Sequence, residues 1–201
     1  MYIIQIPGFD TIQGQQFFLK LNEALGLNFA VKFYEWSINA SKNDKKEADM
    51  IRVISNLTSV LNATTTQNPQ YEIWAKSMGA YFAIEAIKKL AITTSNVKGN
   101  ITIKIFGLPY RLGYPPNINK LSALNTTFED ELLIQGWMEE LGRLPVSVVI
   151  FQGEKDDLGP FGPLLAHSSV YENISVIKIL GEGHSLDPLI VEEYITCSDE
   201  T

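Results

Sequence analysis

Three short segments place chemistry-bearing side chains directly after runs of strand length. Ser77 lies in Ala75-Lys76-Ser77-Met78-Gly79, between an apolar run and a helix-period segment. Asp156 and Asp157 follow Gly153 in the loop after Val146 to Gln152, and His184 sits in Gly181-Glu182-Gly183-His184-Ser185, after Ile174 to Leu180. A serine, a carboxylate and a histidine are the parts of a nucleophilic acyl-transfer site. The hydroxyl attacks a carbonyl, the imidazole removes its proton and the carboxylate orients the imidazolium. Small residues two positions either side of Ser77 have a physical reason, because bulky ones would collide with neighbouring backbone at a sharp strand-to-helix turn. The only other histidine, His167, follows Leu164-Leu165-Ala166 in a helix-like run and reads as structural.

The elements that must hold these residues alternate between strand-length apolar runs and helix-period segments, the pattern of a parallel sheet covered by helices on both faces. Tyr2 to Ile6, Ala30 to Ile38, Tyr71 to Ala75, Ile101 to Phe106, Val146 to Gln152 and Ile174 to Leu180 read as strands. Gln15 to Leu25, Asp44 to Leu61, Met78 to Leu90 and Pro188 to Tyr194 read as helices. In the second of these, Met50, Ile54, Leu57 and Leu61 form one apolar stripe, and Asn43 or Asp44 can cap its start. Between Gly107 and Pro145 the pattern is interrupted by a Gly-, Pro- and Asn-rich stretch and then a helix from Phe128 to Leu141. This segment reads as a small insertion in a single domain spanning residues 1–201.

The Ser77 segment resembles the G-x-S-x-G nucleophile elbow of the α/β-hydrolase superfamily, with Gly79 on pattern and Ala75 departing from it by one methyl group. Two further positions carry the likeness. The family's acid commonly lies three residues beyond a glycine after a late strand, where Asp156 stands here with Asp157 as the neighbouring alternative. Its base follows glycines after the last strand, where His184 stands. The order serine, acid, histidine is the family's own. The resemblance implies an oxyanion hole made by the backbone N–H groups of Met78 and Phe9. Ile6-Pro7-Gly8-Phe9-Asp10 is similar to the family's His-Gly-x turn, and Pro7 has no N–H to give.

The resemblance covers nearly the whole chain and is nearest to small lid-poor esterases and dienelactone-hydrolase-like proteins. It implies an α/β fold, a three-layer α/β/α sandwich. The chain starts at what the family counts as its third strand, so a minimal version of about six mostly parallel strands is expected, in the order second-first-third-fourth-fifth-sixth. The implied activity is hydrolysis of small or short-chain carboxylic esters or thioesters through an acyl-enzyme. Esters are favoured over amides because their leaving groups need less help. A catalytically inactive binding or scaffold protein and an acyltransferase are the competing readings. The insertion carries Leu108, Tyr110, Leu133, Ile134, Trp137 and Met138. These residues either border an acyl pocket, with Leu108, Tyr110, Trp137 and Met138 as substrate contacts, or simply fasten the insertion's helix to the body.

The composition narrows the partners. A formal charge of -7 repels phosphate backbones and anionic membrane surfaces, so neither nucleic acid nor membrane is an expected partner. No apolar stretch is long enough to span a bilayer. The run Met1 to Ile6 lacks a basic n-region and a cleavage site, so a cytoplasmic protein is expected. Cys197 is the only cysteine, which excludes an internal disulfide, and no His/Cys cluster or Gly-rich phosphate loop calls for a metal or nucleotide cofactor. The expected partner is a small-molecule ester or thioester alone.

Overall fold

β-branched and aromatic runs build the centre of the molecule. A computed structural model of the chain describes residues 2–8, 11–27, 32–33, 43–65, 70–93, 101–116 and 127–198. Its strands are β1 (Tyr2–Ile6), β2 (Lys32–Phe33), β3 (Tyr71–Lys76), β4 (Ile101–Phe106), β5 (Ser147–Gly153) and β6 (Ile174–Ile179). They form one sheet in the order β2-β1-β3-β4-β5-β6, with every pairing parallel. That is the order expected from the sequence. Of the strand expected over Ala30 to Ile38, only Lys32–Phe33 falls within the described residues.

The helices among the described residues are α1 (Thr11–Ala24), α2 (Asn43–Thr65), α3 (Gly79–Thr93), α4 (Thr127–Gly142), α5 (Phe161–Ser168) and α6 (Pro188–Ser198), with a 3-10 turn at Tyr110–Leu112. Several helices outrun the apolar spacing that betrays them: α2 runs on from Leu61 to Thr65 and α3 from Leu90 to Thr93. α1 begins four residues before Gln15, and α6 continues past Tyr194, so that Cys197 is exposed on a helix and not in a tail. Solvent-facing turns carry no hydrophobic period and are invisible to it. Among the described residues no helix is long and apolar enough to cross a membrane.

Side chains alternate across each strand and supply a core to both faces. Ile4, Ile6, Ile73, Ala75, Ile103 and Ile105 meet α2, α3 and α4 on one face. Ile3, Trp74, Phe106, Phe151 and Ile179 meet α1 and α6 on the other, where Phe106 and Phe151 stack with centroids 5.2 Å apart. Each fully buried aliphatic side chain contributes about 1.5–3 kcal/mol relative to exposure.

The connections decide where a ligand can sit. From β1 the chain moves outward to β2, then crosses back to β3 on the other side of β1. Connections therefore leave the carboxyl ends of β1 and β3 in opposite directions, and an open crevice lies there.

Candidate active site

Ser77 stands at that crevice. β3 ends at Lys76 and α3 starts at Gly79, so Ser77 and Met78 alone make the turn. Ser77 has φ +51°, a left-handed conformation that L-residues avoid at a cost of about 1–2 kcal/mol. Neighbouring structure holds it there. Its N–H donates to the Phe106 carbonyl of β4 at 3.0 Å, and Gly79 presses so closely on the Ile6 carbonyl that a Cβ would overlap it. Ala75, the departure from G-x-S-x-G, points its methyl into the core beneath α3 and is fully buried, so the site accommodates it.

The turn presents Ser77 Oγ to His184 Nε2 at 2.8 Å, and His184 Nδ1 lies 2.8 Å from Asp156 Oδ2. A carboxylate only accepts, which places the proton of the neutral imidazole on Nδ1 and leaves Nε2 to accept from the serine hydroxyl. The Asp156 side chain is fully buried and its orientation is fixed from four directions. Oδ1 accepts from the backbone N–H groups of Leu158 (2.8 Å) and Gly159 (3.0 Å). Oδ2 accepts from His184 and from Gln152 Nε2 (2.7 Å). Asp157 is exposed instead, and its carbonyl accepts from Arg111 Nη1 at 2.8 Å. His167 lies in the last turn of α5.

Two residues that the sequence reading passed over complete the arrangement. Gln152, at the end of β5, binds Asp156 and also donates to the Gly159 carbonyl at 2.6 Å, while its Oε1 accepts from the Leu108 N–H at 2.8 Å. Lys76 alternates away from Ala75 onto the Trp74 face, where its Nζ donates to the His184 carbonyl at 2.6 Å and lies 5.4 Å from the Phe17 ring centroid. Burial pulls its pKa down from 10.5 to about 8, and the nearby Asp156 charge partly opposes that shift. The signal was present in both cases: a polar side chain directly after the apolar residues at the carboxyl end of a strand, Trp74-Ala75 before Lys76 and Ile150-Phe151 before Gln152.

A cavity of about 410 Å³ opens beside Ser77, walled by Phe17, Lys76, Leu112, Leu158, His184 and Leu186 among others. Leu108, Tyr110, Trp137 and Met138 do not line it. All four are at most 1 % exposed and belong to the core on the α2–α3 face, which corrects the expectation that they contact substrate there. Their apolar surface is consumed in the core that joins α4 to the segment after β4. The insertion still reaches the cavity, through Leu112 on the 3-10 turn. Met78 follows Ser77, and its N–H has no acceptor among the described residues, as expected of the amides at the start of a helix. Phe9 lies outside the described residues.

No family model matches the chain, and no curated protein matches it in sequence. Solved structures do match. A hydrolase from Oleispira antarctica superposes with a TM-score of 0.64 at 16% identity, over 100% of this chain and 91% of that one. An esterase from Exiguobacterium antarcticum gives 0.62 at 12%, over 100% and 92%. An alpha-beta serine hydrolase homologue from Coxiella burnetii gives 0.61 at 14%, over 100% and 84%. An all-parallel sheet in this order, with helices on both faces and these neighbours across the whole length, is the α/β-hydrolase fold.

Proposed function

We propose that the protein is a serine hydrolase that cleaves small or short-chain carboxylic esters or thioesters through an acyl-enzyme. The observation that carries this reading is the hydrogen-bonded chain from Ser77 through His184 to Asp156, with both links at 2.8 Å. It starts from a strained turn at the carboxyl edge of the sheet. The hydrolases and esterases among the structural neighbours support the same chemistry.

In this reading Ser77 Oγ attacks the acyl carbonyl as His184 Nε2 takes its proton, and Asp156 stabilises the imidazolium. The Met78 N–H, with Phe9 as the second donor, stabilises the developing oxyanion. The imidazolium protonates the leaving alkoxide or thiolate. Water, deprotonated by the same imidazole, then attacks the acyl-enzyme and frees the acid. The cavity volume favours a small acyl group over a long lipid chain.

A fluorophosphonate probe tests the reading. It should label the wild type and fail on Ser77→Ala, and purified protein should hydrolyse p-nitrophenyl esters of short chain length. Equal labelling of both proteins removes Ser77 from the role.

A further inference from the structure

Lys76 and Lys104, both buried in the sheet, point their side chains to the same face, and they are treated differently. Lys104 on β4, 5 % exposed, has its Nζ 3.1 Å from a Glu72 carboxylate oxygen and 5.8 Å from the Trp74 ring centroid. Lys76 on β3, 7 % exposed, has no carboxylate within ion-pair distance among the described residues. One of its three N–H donors meets the neutral carbonyl of His184, and the Phe17 ring lies across from it. An ammonium removed from water without a counter-charge is held at a cost, and proteins normally pair such a group or leave it in solvent. Burial lowers the pKa of Lys76 to about 8, and the Asp156 charge, beyond ion-pair distance, opposes that only in part.

The cavity supplies the place for one. Lys76 lines it, between Phe17 and His184, which line it too. Among the described residues its wall carries two cations, Lys76 and, on α1, the exposed Lys20, and no Asp or Glu. That lining is opposite in sign to the chain as a whole, whose net charge is -7. An acidic protein whose described cavity wall carries no carboxylate and buries a lysine offers a place for a negatively charged occupant.

We propose that the cavity binds a carboxylate carried by the substrate, with Lys76 as the buried counter-ion and Lys20 at the rim, so that the natural substrates are small esters bearing a second, free carboxylate. The proposal rests on the hydrolase reading above and names the substrate class for that site. The free carboxylate occupies the cavity on the Lys76 side while the ester carbonyl meets Ser77. No step of the hydrolysis changes.

The test compares mono-p-nitrophenyl esters of glutaric and adipic acid with neutral p-nitrophenyl esters of the same acyl carbon count. A charged hydrogen bond to a buried carboxylate predicts a kcat/KM for the half-esters about 10- to 100-fold higher, a preference lost in Lys76→Met and retained in part in Lys76→Arg. Lys20→Ala should weaken it only severalfold. Glutarate binding to Ser77→Ala, followed by calorimetry, should disappear when Lys76→Met is added. A wild type indifferent to the free carboxylate overturns the proposal. So does a Lys76→Met variant that slows both ester series equally, since that describes only a lysine steadying His184. If no ester is turned over, the hydrolase reading fails, and glutarate binding by the wild type and by Lys76→Gln decides the anion site alone. Glutarate binding that is unchanged in the variant, or absent in the wild type, rejects it.

Discussion

Gln152 and His184 donate to the same oxygen of Asp156, at 2.7 and 2.8 Å. The carboxylate is thus held by a β5 side chain that itself anchors the loops after β4 and β5, through Leu108 and Gly159. Gln152→Leu keeps the volume and removes all of these bonds. It strands the Leu108 N–H and the Gly159 carbonyl, both buried. The variant should lose on the order of 3 kcal/mol of stability, read from the midpoint of urea unfolding. A loss under about 0.5 kcal/mol would show that water replaces the amide.

Asp156→Asn should lower kcat by about a thousandfold or more on the proposed reading, because the wrong imidazole tautomer is then favoured. Asp157→Asn should leave it nearly unchanged, since that side chain is exposed. Steady-state kinetics on one p-nitrophenyl ester decides, and reversed effects would exchange the two roles.

Ser77 occupies a backbone conformation suited to glycine. Ser77→Gly and Ser77→Ala both delete the hydroxyl, but only glycine relieves the positive φ. Ser77→Gly should be the more stable of the pair by about 1 kcal/mol, or about 2–4 °C in Tm for a chain of this size. Equal melting temperatures would mean that the turn relaxes in the alanine variant.

Lys76 links stability to pH. Its folded pKa is lowered from 10.5 to about 8, so between those values the unfolded chain holds more protons than the folded one. Stability therefore rises with pH across that window, and the burial penalty, about 3 kcal/mol, is fully present below pH 8. Lys76→Met should remove this contribution. The difference in unfolding free energy between variant and wild type, followed from pH 7 to 10, should shrink as pH rises. A constant difference would mean that Lys76 stays charged throughout.

Trp137 is fully buried in the core on the α2–α3 face, packed edge-on to Tyr114 with centroids 5.0 Å apart. Trp137→Ala should cost about 3–5 kcal/mol of stability and leave the ratio of kcat/KM between acyl chain lengths unchanged. A shift in chain-length preference would return Trp137 to the pocket wall. Its Nε1 has no acceptor among the described residues, so Trp137→Phe should be much milder.

Where hydrophobic period and turn chemistry carried the information, the sequence was readable. The alternation of strand-length and helix-period runs made a parallel sheet legible, the strand order came with the resemblance to the α/β-hydrolase superfamily, and Ser77, Asp156 and His184 each stand just beyond a strand whose apolar run is plain. What was hidden depended on the third dimension. Leu108 and Trp137 are as apolar as any pocket lining, and only the folded core, where α4 packs on the 3-10 turn and α5, shows that it consumes them. Gln152 and Lys76 look like ordinary strand-end polarity until the loops they hold are folded over them. Leu112 enters the cavity by way of a 3-10 turn that no apolar period announces.

Ser77 and His184 are 107 residues apart in the chain, and β6, which precedes His184, is an edge strand bonded only to β5. On a ribosome, the serine turn and the sheet around it leave the exit tunnel long before the histidine that faces it. The constellation cannot close until the last strand has docked. On the proposed reading the nascent chain therefore carries an unarmed hydroxyl until β6 and the loop after it have docked, and reactivity is acquired only then.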